Sequence, residues 1–229
     1  MRLDRFLGNA TALTRSQAQR AIRAGRVRVD DETVKQGAVQ IPLDARVLLD
    51  GEPVTAPSSR YLMLNKPVGV VCATEDPTHR TAIDLLDLPN PAGLHFAGRL
   101  DIDTTGLVLI SDDGQWTHRI VSPRHHCTKR YRVSLAEGPN ERDLQQLRDG
   151  VRLKGEKRPT RPAEVSQLGP CELLLSITEG RYHQVKRMLA ALGHQVVSLH
   201  REAIGPLELD PELPLGGFRL LREDEIALF

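Results

Sequence analysis

The stretch Gly98-Arg99-Leu100-Asp101-Ile102-Asp103-Thr104-Thr105-Gly106 runs without a break into Leu107-Val108-Leu109-Ile110. Four consecutive aliphatic residues leave no polar face, so this segment belongs in a buried strand. The loop before it is bounded by glycines and rich in carboxylates and hydroxyls. A polar loop tied to a rigid interior strand is where a scaffold tends to hold reactive groups. On the residues alone the chemistry stays open. Asp101 and Asp103, with Thr104 and Thr105 as hydrogen-bond partners, suit a nucleophile, a general base, a metal ligand or a turn cap equally well.

A chain of 229 residues can bury a real core in one or two domains. No apolar run approaches the roughly 20 residues of a membrane span, and Met1-Arg2-Leu3-Asp4 lacks the apolar core of a signal peptide. Cys72, Cys127 and Cys171 are odd in number and form no CxxC pair. Neither a zinc site nor a disulfide framework is therefore expected, and the expected location is the reducing cytoplasm. Net charge is only +1, but it is unevenly placed. Residues 1–28 carry seven arginines against the single acid Asp4. Residues 115–136 carry Arg119, Arg124, Lys129, Arg130 and Arg132, and residues 180–201 carry Arg181, Lys186, Arg187 and Arg201, both without an acid. Three basic islands in a near-neutral chain suggest a polyanion laid over several sites; the alternative is ordinary solvated charge.

The first module is expected over residues 1–55. Thr14-Arg15-Ser16-Gln17 fits a capping box, opening a helix that runs to about Ala24 and stops at Gly25. Ala18, Ala21 and Ile22 share its packed face. Arg15, Gln19, Arg23 and Arg26 form another group, presenting guanidinium to solvent or phosphate. Val27 and Val29 alternate with arginines as in a half-buried strand, and Asp30-Asp31-Glu32 reads as a turn. Residues 56–60 are a linker by composition.

From residue 61 onward, strands are expected at 61–64 and 68–72, at 130–135 with Tyr131, Val133 and Leu135 on one face, at 173–177 and at 195–199. Helices are expected at 81–88, from the Asn140 cap to Gly150, and at 181–192 with Gly193 at the end. Asp112-Asp113-Gly114 reads as a turn. The fold class is α+β.

Residues 1–55 resemble the alpha-L RNA-binding motif, the small α/β domain named after ribosomal protein S-four. The matching parts are Arg2-Leu3-Asp4-Arg5-Phe6-Leu7, Ser16-Gln17-Ala18, Ile22-Arg23-Ala24-Gly25-Arg26-Val27 and Val29-Asp30. Residues 60–229 resemble the pseudouridine synthases almost continuously. The carriers are Gly98 to Leu107, Asn65-Lys66-Pro67, Lys129-Arg130-Tyr131 and Glu179-Gly180-Arg181-Tyr182-His183-Gln184-Val185-Lys186-Arg187-Met188. Ser111 to Trp116 and Ser122 to Cys127 resemble the ribosomal small-subunit (RsuA-type) branch. That family implies a mixed, mainly antiparallel-sheet catalytic domain over 61–229. It also implies isomerisation of a uridine in small-subunit (16S) ribosomal RNA, free or in an assembly intermediate, with no cofactor and no metal.

The resemblance makes Asp101 the catalytic carboxylate, attacking the ribose or supporting charge at its anomeric carbon. Tyr131 would lie against the target base, and Lys186 would pair with Asp101. Arg99 would help displace the base, with Arg181, Lys66, Arg15, Arg23 and Arg26 toward RNA. On the residues alone Arg187 reads as a solvated helix charge and His183 as a structural hydrogen bonder. A monomer is expected. Two rival readings are a non-catalytic ribosomal-RNA-binding or assembly protein and a metal-dependent nuclease built on Asp101, Asp103, Asp112 and Asp113.

Overall fold

The computed structural model describes residues 1–42, 44–55, 59–88, 91 and 93–229. The chain divides into two compact units, Met1–Ser58 and Ser59–Phe229. Most of the linker expected at 56–60 lies outside the described residues.

In the first unit, α1 (Leu3–Ala10) and α2 (Arg15–Arg23) accompany a four-stranded antiparallel sheet. Its strands are β1 (Val27–Val29), β2 (Glu32–Thr33), β3 (Val47–Leu49) and β4 (Glu52–Val54), in the order β2-β1-β3-β4. The capping box forms as the sequence requires. Thr14 N–H donates to Gln17 Oε1 at 2.7 Å and Gln17 N–H to Thr14 Oγ1 at 3.3 Å. Gly25, at φ +75°, ends the turn. Ala18, Ala21 and Ile22 join Leu3, Phe6, Leu7, Val27, Ile41 and Val47 in one buried cluster. Asp30 and Asp31 make the β1–β2 turn with positive φ, and Glu32 already belongs to β2.

The second unit is built on a nine-stranded mixed sheet. Its strands are β5 (Tyr61–Lys66), β6 (His95–Phe96), β7 (Thr105–Ser111), β8 (Lys129–Leu135), β9 (Glu164–Gly169), β10 (Glu172–Ile177), β11 (Val196–Ile204), β12 (Leu207–Glu208) and β13 (Phe218–Leu220). The main path is β13-β5-β7-β11-β8-β10-β9, with β6 added to β7 and β12 to β11. Among these described strands, the β7–β11 pair alone is parallel. The helices are α3 (Gly114–Val121), α4 (Glu141–Asp149), α5 (Gln184–Ala191) and α6 (Glu223–Ile226). Leu107 to Ile110 are fully buried, as the uninterrupted apolar run demands. Val108 and Ile110 feed one core cluster, and Leu107 and Leu109 feed another.

Four expectations need correction. Residues 68–72 do not continue the sheet; Val71 makes a single bridge to Thr81. The helix expected over 81–88 is one 3-10 turn, Ile83–Leu85. Thr81 and Asp84 exchange local hydrogen bonds, N–H to Oδ2 at 2.8 Å and N–H to Oγ1 at 3.2 Å, and Leu86 is already extended. The 112–114 turn instead opens α3: Asp113 caps it through Gln115 N and Trp116 N, while Asp112 takes Arg60 Nε at 2.8 Å. Finally, α5 starts at Gln184 rather than Arg181, because His183 sits in the left-handed region at φ +49°.

Gly106 explains how the Asp101 loop can end so close to β11. Its φ is +107°, and a Cβ there would stand 2.3 Å from the Arg201 carbonyl oxygen and 2.7 Å from its nitrogen. Both atoms are backbone and cannot rotate away. Gly106→Ala is expected to destabilise the chain by at least about 3 kcal/mol in urea unfolding. A change below about 1 kcal/mol would show that β7 and β11 separate freely at this point.

Candidate active site

The loop carrying Asp101 is fastened from several sides. Within it, Thr104 N–H donates to the Asp101 carbonyl at 3.1 Å, closing a tight turn. Gly69 N–H donates to Ile102 O at 2.8 Å, and Leu100 N–H reaches the buried Cys72 sulfur at 3.4 Å. Lys66 at the end of β5 is fully buried and donates to Thr104 O and Pro67 O, both at 2.8 Å. Burial pushes its ammonium pKa below the ordinary lysine value. The structure thus gives Lys66 a loop-holding role, with no solvent-facing charge for a phosphate.

Asp101 is held by two side chains, His183 at the N-cap of α5 and Lys186 in the first turn of that helix. His183 Nε2 lies 3.3 Å from Oδ1, and Lys186 Nζ lies 3.5 Å from Oδ2. The Asp101 side chain is 29% exposed, so it is fixed yet reachable. Lys186 also bonds Asp103, more closely than it approaches Asp101. That contact holds the Asp103 carboxyl below the usual carboxylate range. The sequence called His183 a structural hydrogen bonder; its partner is the central carboxylate. Asp112 and Asp113 lie beyond the other end of β7, about 20 Å away at strand rise, and do not join this group.

Tyr131 projects from β8 into the core. Its phenol oxygen faces Arg201, the β11 residue paired with it across the sheet, whose Nη1 donates to Tyr131 Oη at 3.4 Å and to Arg99 O at 3.3 Å. Arg201 Nε donates to Leu107 O at 2.8 Å. One buried guanidinium therefore ties the Tyr131 hydroxyl to both ends of the Asp101 loop. The sequence counted Arg201 only as surface charge. Its partners are 70 to 102 positions away, and no local pattern signals them.

The expected RNA contacts divide sharply. Arg99 is exposed and its guanidinium makes no hydrogen bond or ion pair among the described residues, two positions before Asp101. Arg23 is equally exposed on α2, together with Arg20 and with Arg5 on α1. Arg15 leans toward the buried Asp4 at 3.7 Å, where Arg2 and Gln19 also bond; these donors hold the Asp4 carboxyl well below its usual range. Arg26 grips Asp50 in a two-pronged pair.

Arg181 turns inward to Arg158 O at 2.8 Å, Pro159 O at 2.6 Å and Glu179. The structure therefore does not bring Arg181 out to meet a phosphate. Arg187 is not the solvated charge expected of it: it binds Glu156, Tyr182 O and Lys154 O. The 115–136 island is also largely compensated. Arg130 pairs with Glu202 and Glu208, and Arg132 with Glu202 and Glu172, while Lys129 donates to Ile120 O and Cys127 O. No helix among the described residues is long and apolar enough to cross a membrane.

A partly exposed aspartate, gripped by a lysine and a histidine on a loop that Arg201 ties to a strand tyrosine, can act on an electrophilic carbon or hold a developing positive charge. Comparison with known proteins narrows the chemistry. Residues 60–191 match the family model described as RNA pseudouridylate synthase, and residues 1–42 match the S4 domain. A relative from Yersinia pestis, named ribosomal small subunit pseudouridine synthase A, is 51% identical over 99% of this chain and 97% of its own length. Its namesake from Escherichia coli (strain K12) is 50% identical over 99% of both chains. A solved structure titled as the crystal structure of pseudouridylate synthase superposes with a TM-score of 0.73 at 48% identity, covering 100% of both chains. On these grounds the chain belongs to the RNA pseudouridylate synthase family.

Proposed function

We propose that this protein converts a uridine of small-subunit ribosomal RNA to pseudouridine, with Asp101 as its reacting carboxylate. The observation that carries the reading is the grip of Lys186 and His183 on opposite oxygens of Asp101, at 3.5 and 3.3 Å. In the reaction the C1′–N1 bond breaks and a C1′–C5 bond forms. The hydrogen leaves C5, and N1 gains one. Atoms and electrons balance within the substrate and water, so no redox partner is consumed. Asp101 attacks C1′ or supports the charge that develops there, and Lys186 and His183 keep its oxygens aimed.

Tyr131 lies against the uracil, oriented by Arg201. A uracil inside folded RNA must leave its stack to reach Asp101, at a cost of a few kcal/mol. Arg99, exposed in the same loop, takes the place of the extruded base. Arg23, with Arg5 and Arg20, contributes phosphate contacts that make binding salt-dependent. The substrate is the ribosomal RNA itself or a partial assembly of it.

The direct test is tritium release from RNA labelled at carbon 5 of uracil, using free small-subunit RNA and assembly intermediates, without added metal. Release by the native chain is the expected result. Silence on both substrates would contradict the proposal.

Residues 1–55 are proposed to dock the RNA and raise the local substrate concentration. Residues 62–229 hold two buried apolar clusters of their own, so residues 60–229 are expected to fold without the first unit. Deleting residues 1–55 is expected to raise KM for long RNA about tenfold or more, with kcat within about twofold. An unchanged KM would remove the docking role.

A further inference from the structure

We infer that the outer face of the Tyr182 ring is a stacking platform for an RNA base adjoining the one that reacts; this deepens the function proposed above and rests on it. Tyr182 is 72% exposed, more than any other large apolar residue described. Its hydroxyl makes no hydrogen bond among the described residues. Its inner face is occupied: the rings of Tyr182 and His183 stack with centroids 3.8 Å apart and planes 19° from parallel. His183 in turn contacts Asp101 at 3.3 Å. Carboxylate, imidazole and phenol therefore form one continuous series, and the open ring face lies a single ring beyond the side chain that grips Asp101.

The backbone is arranged to present this pair. His183 adopts a left-handed conformation that a non-glycine residue rarely takes, and such outliers concentrate at functional sites. Arg187 donates to Tyr182 O at 3.0 Å, and Arg187 N–H donates to His183 O at 2.9 Å. Gln184 N–H bonds Arg181 O at 3.1 Å, while Arg181 is anchored on Arg158 O and Pro159 O. The two arginines that turn away from solvent thus brace the segment that displays Tyr182.

In the Asp101 loop Ile102 is exposed, and its carbonyl accepts from Gly69 N–H, next to the exposed Val68, so apolar surface adjoins the carboxylate. Arg99 supplies an exposed cation in the same loop. An open aromatic face, apolar surface and an exposed guanidinium around one carboxylate suit a splayed nucleotide strand. Its bases stack without regard to sequence, and its phosphates need a cation.

The test uses the full chain with Tyr182→Ala and Tyr182→Phe on tritium-labelled small-subunit RNA. Tyr182→Ala is expected to raise KM about tenfold, equivalent to about 1.4 kcal/mol, with kcat within about twofold. Tyr182→Phe, which keeps the ring, is expected to retain the native KM. A native KM in Tyr182→Ala would overturn the inference. Equal losses in both variants would assign the effect to the hydroxyl, and a fall in kcat alone would assign it to His183; either result also overturns the platform. If the native chain releases no tritium, the functional reading fails separately. Filter binding of the same RNA then decides: weaker binding by Tyr182→Ala alone supports the platform, and equal binding by all three proteins removes it.

Discussion

Asp101→Asn is expected to lower single-turnover tritium release by at least about 10⁴-fold while leaving the fold and RNA affinity in place. The magnitude follows from deleting the group that reacts or carries charge at the reacting carbon, with little else able to replace it. The substitution keeps size and shape and removes one charge. Lys186 stays anchored, because its closer partner is Asp103. The surrounding loop hydrogen bonds run through main-chain atoms of residues 99, 100, 102 and 104 and the Asp101 carbonyl, none of which the change touches. Filter binding is therefore expected within about twofold of native, since phosphate contacts dominate affinity. Asp103→Asn is the matched control. Asp103 is 66% exposed and its one ion pair among the described residues is with Lys186, so its loss is expected below about tenfold. Residual Asp101→Asn activity above about 1% of native would take the carboxylate out of the chemistry.

Much of this arrangement was legible in the sequence because the governing interactions are local. The uninterrupted Leu107–Ile110 run, the alternation through Tyr131, Val133 and Leu135, the reciprocal cap at Thr14–Gln17 and the Asn140 cap all depend on neighbours within a few residues. Family resemblance then marked Asp101, Tyr131 and Lys186, and the structure sets Lys186 on Asp101.

What the sequence concealed depends on partners far along the chain. The 115–136 island looked like free positive charge because Glu172, Glu202 and Glu208 lie on β10, β11 and β12, 40 to 78 positions away. Arg201 looked like surface charge until β11 paired with β8 and carried it beneath Tyr131. His183 was hidden by a different cause. A helical reading of 181–192 points its ring by helix periodicity, whereas one left-handed residue redirects it toward Asp101. The same segment turned Arg181 and Arg187, expected at phosphate and in solvent, into braces.

Lys186→Met is expected to lower kcat about 100-fold with KM within about threefold, and Lys186→Arg to recover most of that loss. At 3.5 Å and an effective dielectric near 20, the Lys186–Asp101 attraction is on the order of 4–5 kcal/mol. Both side chains are about a quarter exposed, so solvent screening cuts the net attraction well below that figure; the 100-fold expected in rate, about 2.7 kcal/mol of barrier, is the cost of losing the aim that Lys186 gives the carboxylate. Methionine preserves the apolar stem and removes the cation, leaving His183 as the remaining side-chain contact on Asp101. Arginine restores charge, and its fork can reach both carboxylates.

Stability supplies a second readout with a definite sign. Lys186 lowers the Asp103 carboxyl from its ordinary value of 3.8. A carboxyl depressed in the folded state contributes stability above its unfolded pKa and loses it as pH falls through the folded value. The Tm difference between native and Lys186→Met is therefore expected in full at pH 7 and to shrink as pH drops below 3.8. A rate loss that Lys186→Arg fails to recover, with a Tm difference that persists in acid, would mean that Lys186 acts through packing and not through its charge on the two aspartates.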